Sequence, residues 1–351
     1  MYHRDLWSFM SRQEVRILDE LPLSSASLES PAKVGDGASP ASQPMATASP
    51  FGENLEPVVR KHCEGRLSRI SWFRTDWQRG GALTGYASYR DDEDVEQPVV
   101  VKLPVVPRER RWLVHLQESG VAPRVYAHGE ELGGYDMAWV VMERLPHGPL
   151  GRAWNGAAFD LLIDAMVRFS AAAANLPVNG DRKTRDYLVI CDEARAHIQR
   201  HTTAHEQRWN QALKSASHRL RDWLSIWDDR DDGHWCHGDI HLGNAMTRTA
   251  PPHGPALLID FAEVHRGHWI EDAVHLEHFY WSRRDKLEGR KICKLIARQR
   301  KAAGLPVDEQ WARLAAIQRA LIAMCTPVIL RHVGDANHVE AALKVLEMEV
   351  A

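Results

Sequence analysis

Residues 235–244 read Trp-Cys-His-Gly-Asp-Ile-His-Leu-Gly-Asn, and residues 256–263 read Ala-Leu-Leu-Ile-Asp-Phe-Ala-Glu. The first stretch holds the pattern HxDxxxxN in His237, Asp239 and Asn244. In a chain of this composition such a match is expected roughly 0.03 times by chance. The second stretch puts an acid, Asp260, at the end of an apolar run that reads as a short buried strand. A turn-rich connection with Pro251, Pro252 and Gly254 joins them, so a strand, a loop and a second strand are expected to bring both stretches to one edge. Taken singly, Asp239 reads equally as a turn acid and Asp260 as a strand-end cap. Their joint spacing is what favours a shared site.

Two carboxylates and an amide suit one kind of chemistry. Phosphoryl transfer asks a protein for positioning and for charge neutralisation. One acid orients the attacking hydroxyl, while a second acid and an amide oxygen suit Mg²⁺, which prefers hard oxygen ligands. The two stretches together resemble the catalytic and metal loops of the aminoglycoside phosphotransferase and choline kinase family, relatives of the protein kinases. The resemblance extends over residues ~53 to 340. It implies an α+β, bilobal protein-kinase-like fold, with a small β-rich N-lobe and a larger, mainly α-helical C-lobe. It also implies ATP and Mg²⁺ as cofactors, and transfer of the γ-phosphoryl group to a hydroxyl of a small molecule. Asp239 becomes the catalytic base, and Asn244 and Asp260 the metal ligands. His237 becomes a structural support of the loop, and Asp272 an anchor for it.

The residues upstream read as β-rich. Segments 68–73, 82–90 and 98–104 look like strands, and the acidic turn between the last two looks like a hairpin. Lys102 stands inside the apolar run Pro-Val-Val-Val-Lys-Leu-Pro, where a charge normally needs a partner. Glu109, on a helix expected to stop at Gly120, offers one. By the resemblance, Lys102 contacts the nucleotide phosphates with Glu109 as its partner. The segment Met-Ala-Trp-Val-Val-Met-Glu-Arg-Leu (137–145) resembles the strand and hinge that hold adenine, with Met142 beside the base and backbone groups of Glu143 and Leu145 contacting it. The phosphate loop departs from the kinase pattern, because Gly80 and Gly81 stand where GxGxxG is usual, and a hairpin turn needs glycines as well.

Composition bounds the remainder. The chain has 351 residues, 44% hydrophobic and 26% charged, with a formal net charge of −3. Such a near-neutral balance opposes a nucleic-acid partner. Five cysteines and no CxxC pair oppose a disulfide framework. The first residues lack a signal peptide's apolar stretch, and no window approaches the ~20 apolar residues of a membrane span, so a cytoplasmic location is expected. Residues 1–51 read as a disordered N-terminal tail with a candidate short helix near its start, because the Ser, Ala and Pro-rich part cannot bury enough surface to fold. Residues 52–145 read as the ATP-binding N-lobe and 146–351 as the catalytic and substrate-binding C-lobe. Histidines gather at 234, 237, 241, 265, 268, 275 and 278. His268, Glu271, Asp272 and His275 fall at helical spacing, which suits a zinc site but suits a helix with carboxylates in its first turn better. Two rival readings remain: a nucleotide-binding pseudokinase and an atypical protein kinase. The absence of an A-P-E-like segment and the short step from Asp260 to Asp272 oppose the second.

Overall fold

The computed structural model describes residues 50–73, 82–152, 156–177, 182–200, 204–329 and 336–351. The expected N-terminal tail up to residue 49, with its short helix, and Gly80 and Gly81 lie outside the described residues, while Pro50 and Phe51, expected in the tail, open a helix instead. The described chain divides into two compact units: residues 50–107 with 124–144, and residues 108–123 with 145–351.

The first unit starts with helix α1 (Pro50–His62) and continues into a five-stranded antiparallel sheet. Its strands are β1 (Ser71–Phe73), β2 (Leu83–Arg90), β3 (Glu96–Leu103), β4 (Val125–Gly129) and β5 (Trp139–Glu143), in the order β1-β2-β3-β5-β4. Central strand β3 explains the lysine in the apolar run. Side chains alternate between faces of a strand, so Val99, Val101 and Leu103 are fully buried while Lys102 stands half-buried on the opposite face. Lys102 lies opposite Thr84 on β2 and Val140 on β5. The apolar run therefore places Lys102 beside the core rather than within it.

The second unit carries helix α2 (Pro107–His115) and most of the remaining helices. Trp112 and Leu113 are buried on α2, and so is Glu109, at 3% exposure. The helix ends at His115, five residues before the expected glycine stop at Gly120. Side chains just past its end bond backwards: Gln117 Nε2 donates to Leu113 O of the last turn, and Ser119 Oγ to Leu116 O in the turn that follows. Such local bonds compete with continued helix. Helices α3 (Gly156–Ala173), α4 (Tyr187–Arg200) and α5 (Glu206–Asp228) follow. Then come two small antiparallel pairs, β6 (His234–Cys236) with β9 (His265–Gly267), and β7 (Ala245–Thr247) with β8 (Ala256–Leu258). Helices α6 (Ile270–His278), α7 (Ile292–Ala302), α8 (Trp311–Ile329) and α9 (Ala336–Val350) complete the unit. Fully buried Phe159, Leu162 and Ile163 on α3 anchor its core.

Candidate active site

Two antiparallel strand pairs frame the catalytic sequence. Strands β7 and β8 pair Ala245 with Leu258, and the Ile259 N–H donates to Asn244 O at 3.0 Å. This register sets Asn244 and Asp260 at neighbouring ends of the two strands. Strands β6 and β9 pair Cys236 with His265, so the loop leaves β6 at His237 directly under the segment that follows Asp260.

Each residue of the His-Gly-Asp run has a separate physical reason. His237 is fully buried and its Nδ1 accepts a long hydrogen bond from the Asp239 N–H at 3.4 Å. Its ring packs against Phe261 at 5.1 Å and Phe169 at 5.9 Å. Burial pushes its pKa down, which favours the neutral imidazole. Gly238 has φ +83°, and a Cβ there would stand 2.2 Å from the Glu263 carbonyl oxygen. Only glycine fits both conditions. Asp239 has a side chain 27% exposed. Asn244 Nδ2 donates to Asp239 Oδ2 at 3.0 Å and to its carbonyl at 2.9 Å. Burial raises the Asp239 pKa, but the imidazoles of His241 and His275 outweigh it and hold the carboxyl well below the usual range.

Asp272, in the first turn of α6, holds the loop from behind. Its carboxylate accepts the N–H of His237 at 2.7 Å and of Gly238 at 2.9 Å. Asp260 adopts φ 65°, ψ 67°, a left-handed conformation that aspartate tolerates better than most residues. Strain of this kind clusters at functional sites. The donor chemistry fits a magnesium ion. The Asn244 amide nitrogen is engaged by Asp239, so the oxygen Oδ1 is the atom it offers a metal, and Asp260 supplies a carboxylate. Among the described residues no group of three or more His, Cys, Asp or Glu stands placed to hold a metal. The helical-spacing set His268, Glu271, Asp272 and His275 does other work. Glu271 Oε1 accepts Arg230 Nη2 at 3.0 Å and the His268 N–H at 2.9 Å.

The structure thus brings together His237, Asp239, Asn244, Asp260 and Asp272 in the second unit. Glu109 and Leu145 belong to the same unit, while Lys102, Met142 and Glu143 belong to the first. Glu143 is fixed within its own sheet: its N–H donates to Arg124 O at 2.7 Å and its carboxylate accepts the Arg124 N–H at 3.1 Å. Sequence reasoning gave no role to several residues that surround the loop. Lys183 Nζ meets Glu263 Oε2 at 2.6 Å, and burial lowers the Lys183 pKa. Arg230 carries the buried partner charge of Glu271. His241 and His275 each stand 3.6 Å from Asp239 Oδ1. The three-residue step from Asp272 to His275 was the one signal available, since it puts both on one face of a helix.

A five-stranded antiparallel sheet, a helical second unit and an HxDxxxxN loop paired with a second acidic strand end define a phosphotransferase with a protein-kinase-like fold. The phosphotransferase enzyme family matches residues 87–317, and the chain belongs to it; it is an enzyme of the small-molecule kinase class. A search of curated protein sequences found no match. Similar solved structures share the fold at low identity. A protein of Ralstonia eutropha JMP134 described as an aminoglycoside phosphotransferase is 18% identical, with a TM-score of 0.54 over 85% of this chain and 96% of that one. A spectinomycin phosphotransferase, solved with ADP and spectinomycin, is 13% identical with a TM-score of 0.53 over 84% and 93%. A microcompartment-associated aminopropanol kinase is 13% identical with a TM-score of 0.52 over 80% and 90%. Among the described residues no helix is long and apolar enough to cross a membrane.

Proposed function

We propose that the protein transfers the γ-phosphoryl group of ATP to a hydroxyl of a small molecule, aminoglycoside-, choline- or sugar-like, with Mg²⁺ as cofactor. The arrangement of Asp239 carries this reading: a partly exposed, ionised carboxylate whose rotamer is set by Asn244 on one oxygen, on a loop whose backbone is held by Asp272. Asp239 receives the hydrogen bond of the acceptor hydroxyl and aims its oxygen in line with the phosphorus. Asn244 Oδ1 and the Asp260 carboxylate are the ligands for Mg²⁺, which supplies neutralisation of phosphate charge when bound. Lys102 engages the α/β-phosphates, with Glu109 as its partner on α2. Met142 lies beside the adenine, and the Glu143 carbonyl and Leu145 N–H bond its edge. His237 and Asp272 support the loop and take no part in proton transfer.

The test is steady-state turnover of Mg-ATP by the full chain and by Asp239→Asn. The substitution leaves loop shape intact and removes the charged acceptor of the hydroxyl proton. It is expected to lower kcat by about 10²–10⁴ while ATP binding stays within about twofold. An unchanged rate overturns the assignment of Asp239. Mg²⁺-dependent ATP binding without turnover in the unaltered protein would favour a regulatory pseudokinase instead.

A further inference from the structure

Two buried histidines converge on the orienting carboxylate from different elements. His241 Nε2 and His275 Nε2 both stand 3.6 Å from the same atom, Asp239 Oδ1. His241 follows Asp239 within the loop. Its Nδ1 accepts the Gly243 N–H at 3.0 Å, so the ring proton of the neutral form lies on Nε2, the nitrogen aimed at Asp239. His275 comes from α6, one turn after Asp272. One helix face therefore meets three consecutive loop residues: Asp272 takes the backbone N–H groups of His237 and Gly238, and His275 faces the side chain of Asp239. A single aromatic side chain supports both rings. Phe279, 5% exposed, sets its ring edge-on to His241 at 5.6 Å and to His275 at 5.1 Å. Two core histidines packed only for bulk have no reason to address one oxygen of one partner.

We propose that His241 and His275 are a pair of positioning residues for Asp239, dividing its carboxylate with Asn244. Asn244 holds Oδ2, and the two imidazole Nε2–H groups hold Oδ1. At 3.6 Å the imidazole contacts are longer than a formed hydrogen bond. In free enzymes such bonds are commonly long and tighten in the reactive complex, so the pair closes on Oδ1 as the site fills. The imidazoles act through Asp239: they restrict its χ2 rotation, and no proton passes to them. The inference rests on the reading of Asp239 as the residue that orients the acceptor hydroxyl.

The experiment measures basal ATP hydrolysis by the full chain, with water as acceptor and Mg²⁺ present. It compares His241→Ala, His275→Ala, His241→Gln and His275→Gln, with Asp239→Asn in the same assay. Each alanine variant is expected to lower kcat by about tenfold, with KM for ATP changed by less than about twofold. Each glutamine variant, whose amide can return an N–H to the position of Nε2, is expected to recover most of that loss. Rates are normalised to the folded fraction from the thermal transition. Where an alanine variant does not fold, the glutamine variant carries the test alone and is expected to stay within about threefold of the unaltered rate. The inference is overturned if alanine at both positions leaves kcat within about twofold, or if glutamine is no better than alanine. A wild-type rate in Asp239→Asn removes the parent reading, and the inference with it, and is seen independently of the histidine variants.

Discussion

Replacing Asp272 with alanine deletes both hydrogen bonds that hold the backbone of His237 and Gly238. Each joins an N–H to a carboxylate, a kind worth about 1.5–3 kcal/mol, so the two together amount to about 3–6 kcal/mol. Solvent offsets part of this. A cavity of about 40 Å³ borders Asp272, Gly238 and His275, and a water needs roughly 10–15 Å³ of such space. A water that entered would satisfy one of the two N–H groups and bring the expected loss to about 1.5–3 kcal/mol. That is a large share of the roughly 5–15 kcal/mol that holds a typical domain folded. Asp272→Asn keeps one acceptor oxygen but turns an NH₂ group toward the other N–H, so its loss falls between wild type and alanine. Urea unfolding followed by tryptophan fluorescence reads the effect, because Trp227, Trp235 and Trp269 all belong to the same unit. With two compact units present, the midpoint of that unit's transition is the quantity to compare rather than one global free energy. The midpoint is expected to fall in the order wild type, Asn, Ala. Turnover is expected to fall further than the folded fraction, because the loop carrying Asp239 loses its reference. An alanine variant with the wild-type midpoint and rate would refute the reasoning.

Gly238→Ala forces a Cβ to within 2.2 Å of the Glu263 carbonyl at a positive φ. The strain and overlap together are expected to cost about 3 kcal/mol or more, and a thermal melt that matched wild type would contradict the close approach. Glu271 gives the pH dependence. Burial raises its pKa, but the His265 hydrogen bond and the Arg230 charge prevail and hold it at about 2, against an ordinary value of 4.5. A group depressed in the folded state stabilises above its unfolded pKa and loses that contribution as pH falls through the folded one. About 3 kcal/mol is therefore expected to be lost between pH about 4.5 and about 2. Unfolding midpoints from pH 7 to pH 3 are expected to fall more steeply in wild type than in Glu271→Gln, and equal slopes would count against the pairing.

Legibility followed range in sequence. The HxDxxxxN loop and the acidic strand end were readable because their geometry is local: one hairpin sets Asn244 beside Ile259, and one glycine sets the turn. The alternation along β3 was readable too, yet Lys102 looked misplaced in an apolar run until the face of the sheet was known. His241 stood inside the quoted motif, but nothing in the spacing of residues reports a side-chain direction. His275 and Arg230 lie 36 and nine residues from Asp239 in the sequence. His275 meets the loop because α6 packs beneath it, and Arg230, just past the end of α5, meets Glu271 on that same helix. The early end of α2 was hidden for another reason, since the Gln117 side chain takes the Leu113 carbonyl of its last turn, whereas Gly120 is the stronger signal in the sequence. Gly80, Gly81 and the tail up to residue 49 fall outside the described residues.

The nine residues of α6 show why a structural helix and a catalytic support can be one object. Glu271 ties the helix to β9 and to the turn after α5 by accepting His265 and Arg230. Asp272 fixes the backbone of the loop, and His275 faces the carboxylate it carries. The two acids also lie in the first turn, where the helix dipole favours negative charge. Because all three side chains ride on one rigid element, a rotation of α6 of even a few degrees would move them together. The position of Asp239 is then set by how α6 packs against the core through fully buried Ala273, Val274 and Leu276. Apolar substitutions at those three sites would reach the orienting carboxylate without touching it. The motif specifies which atoms act, and the packing of one short helix specifies where they stand.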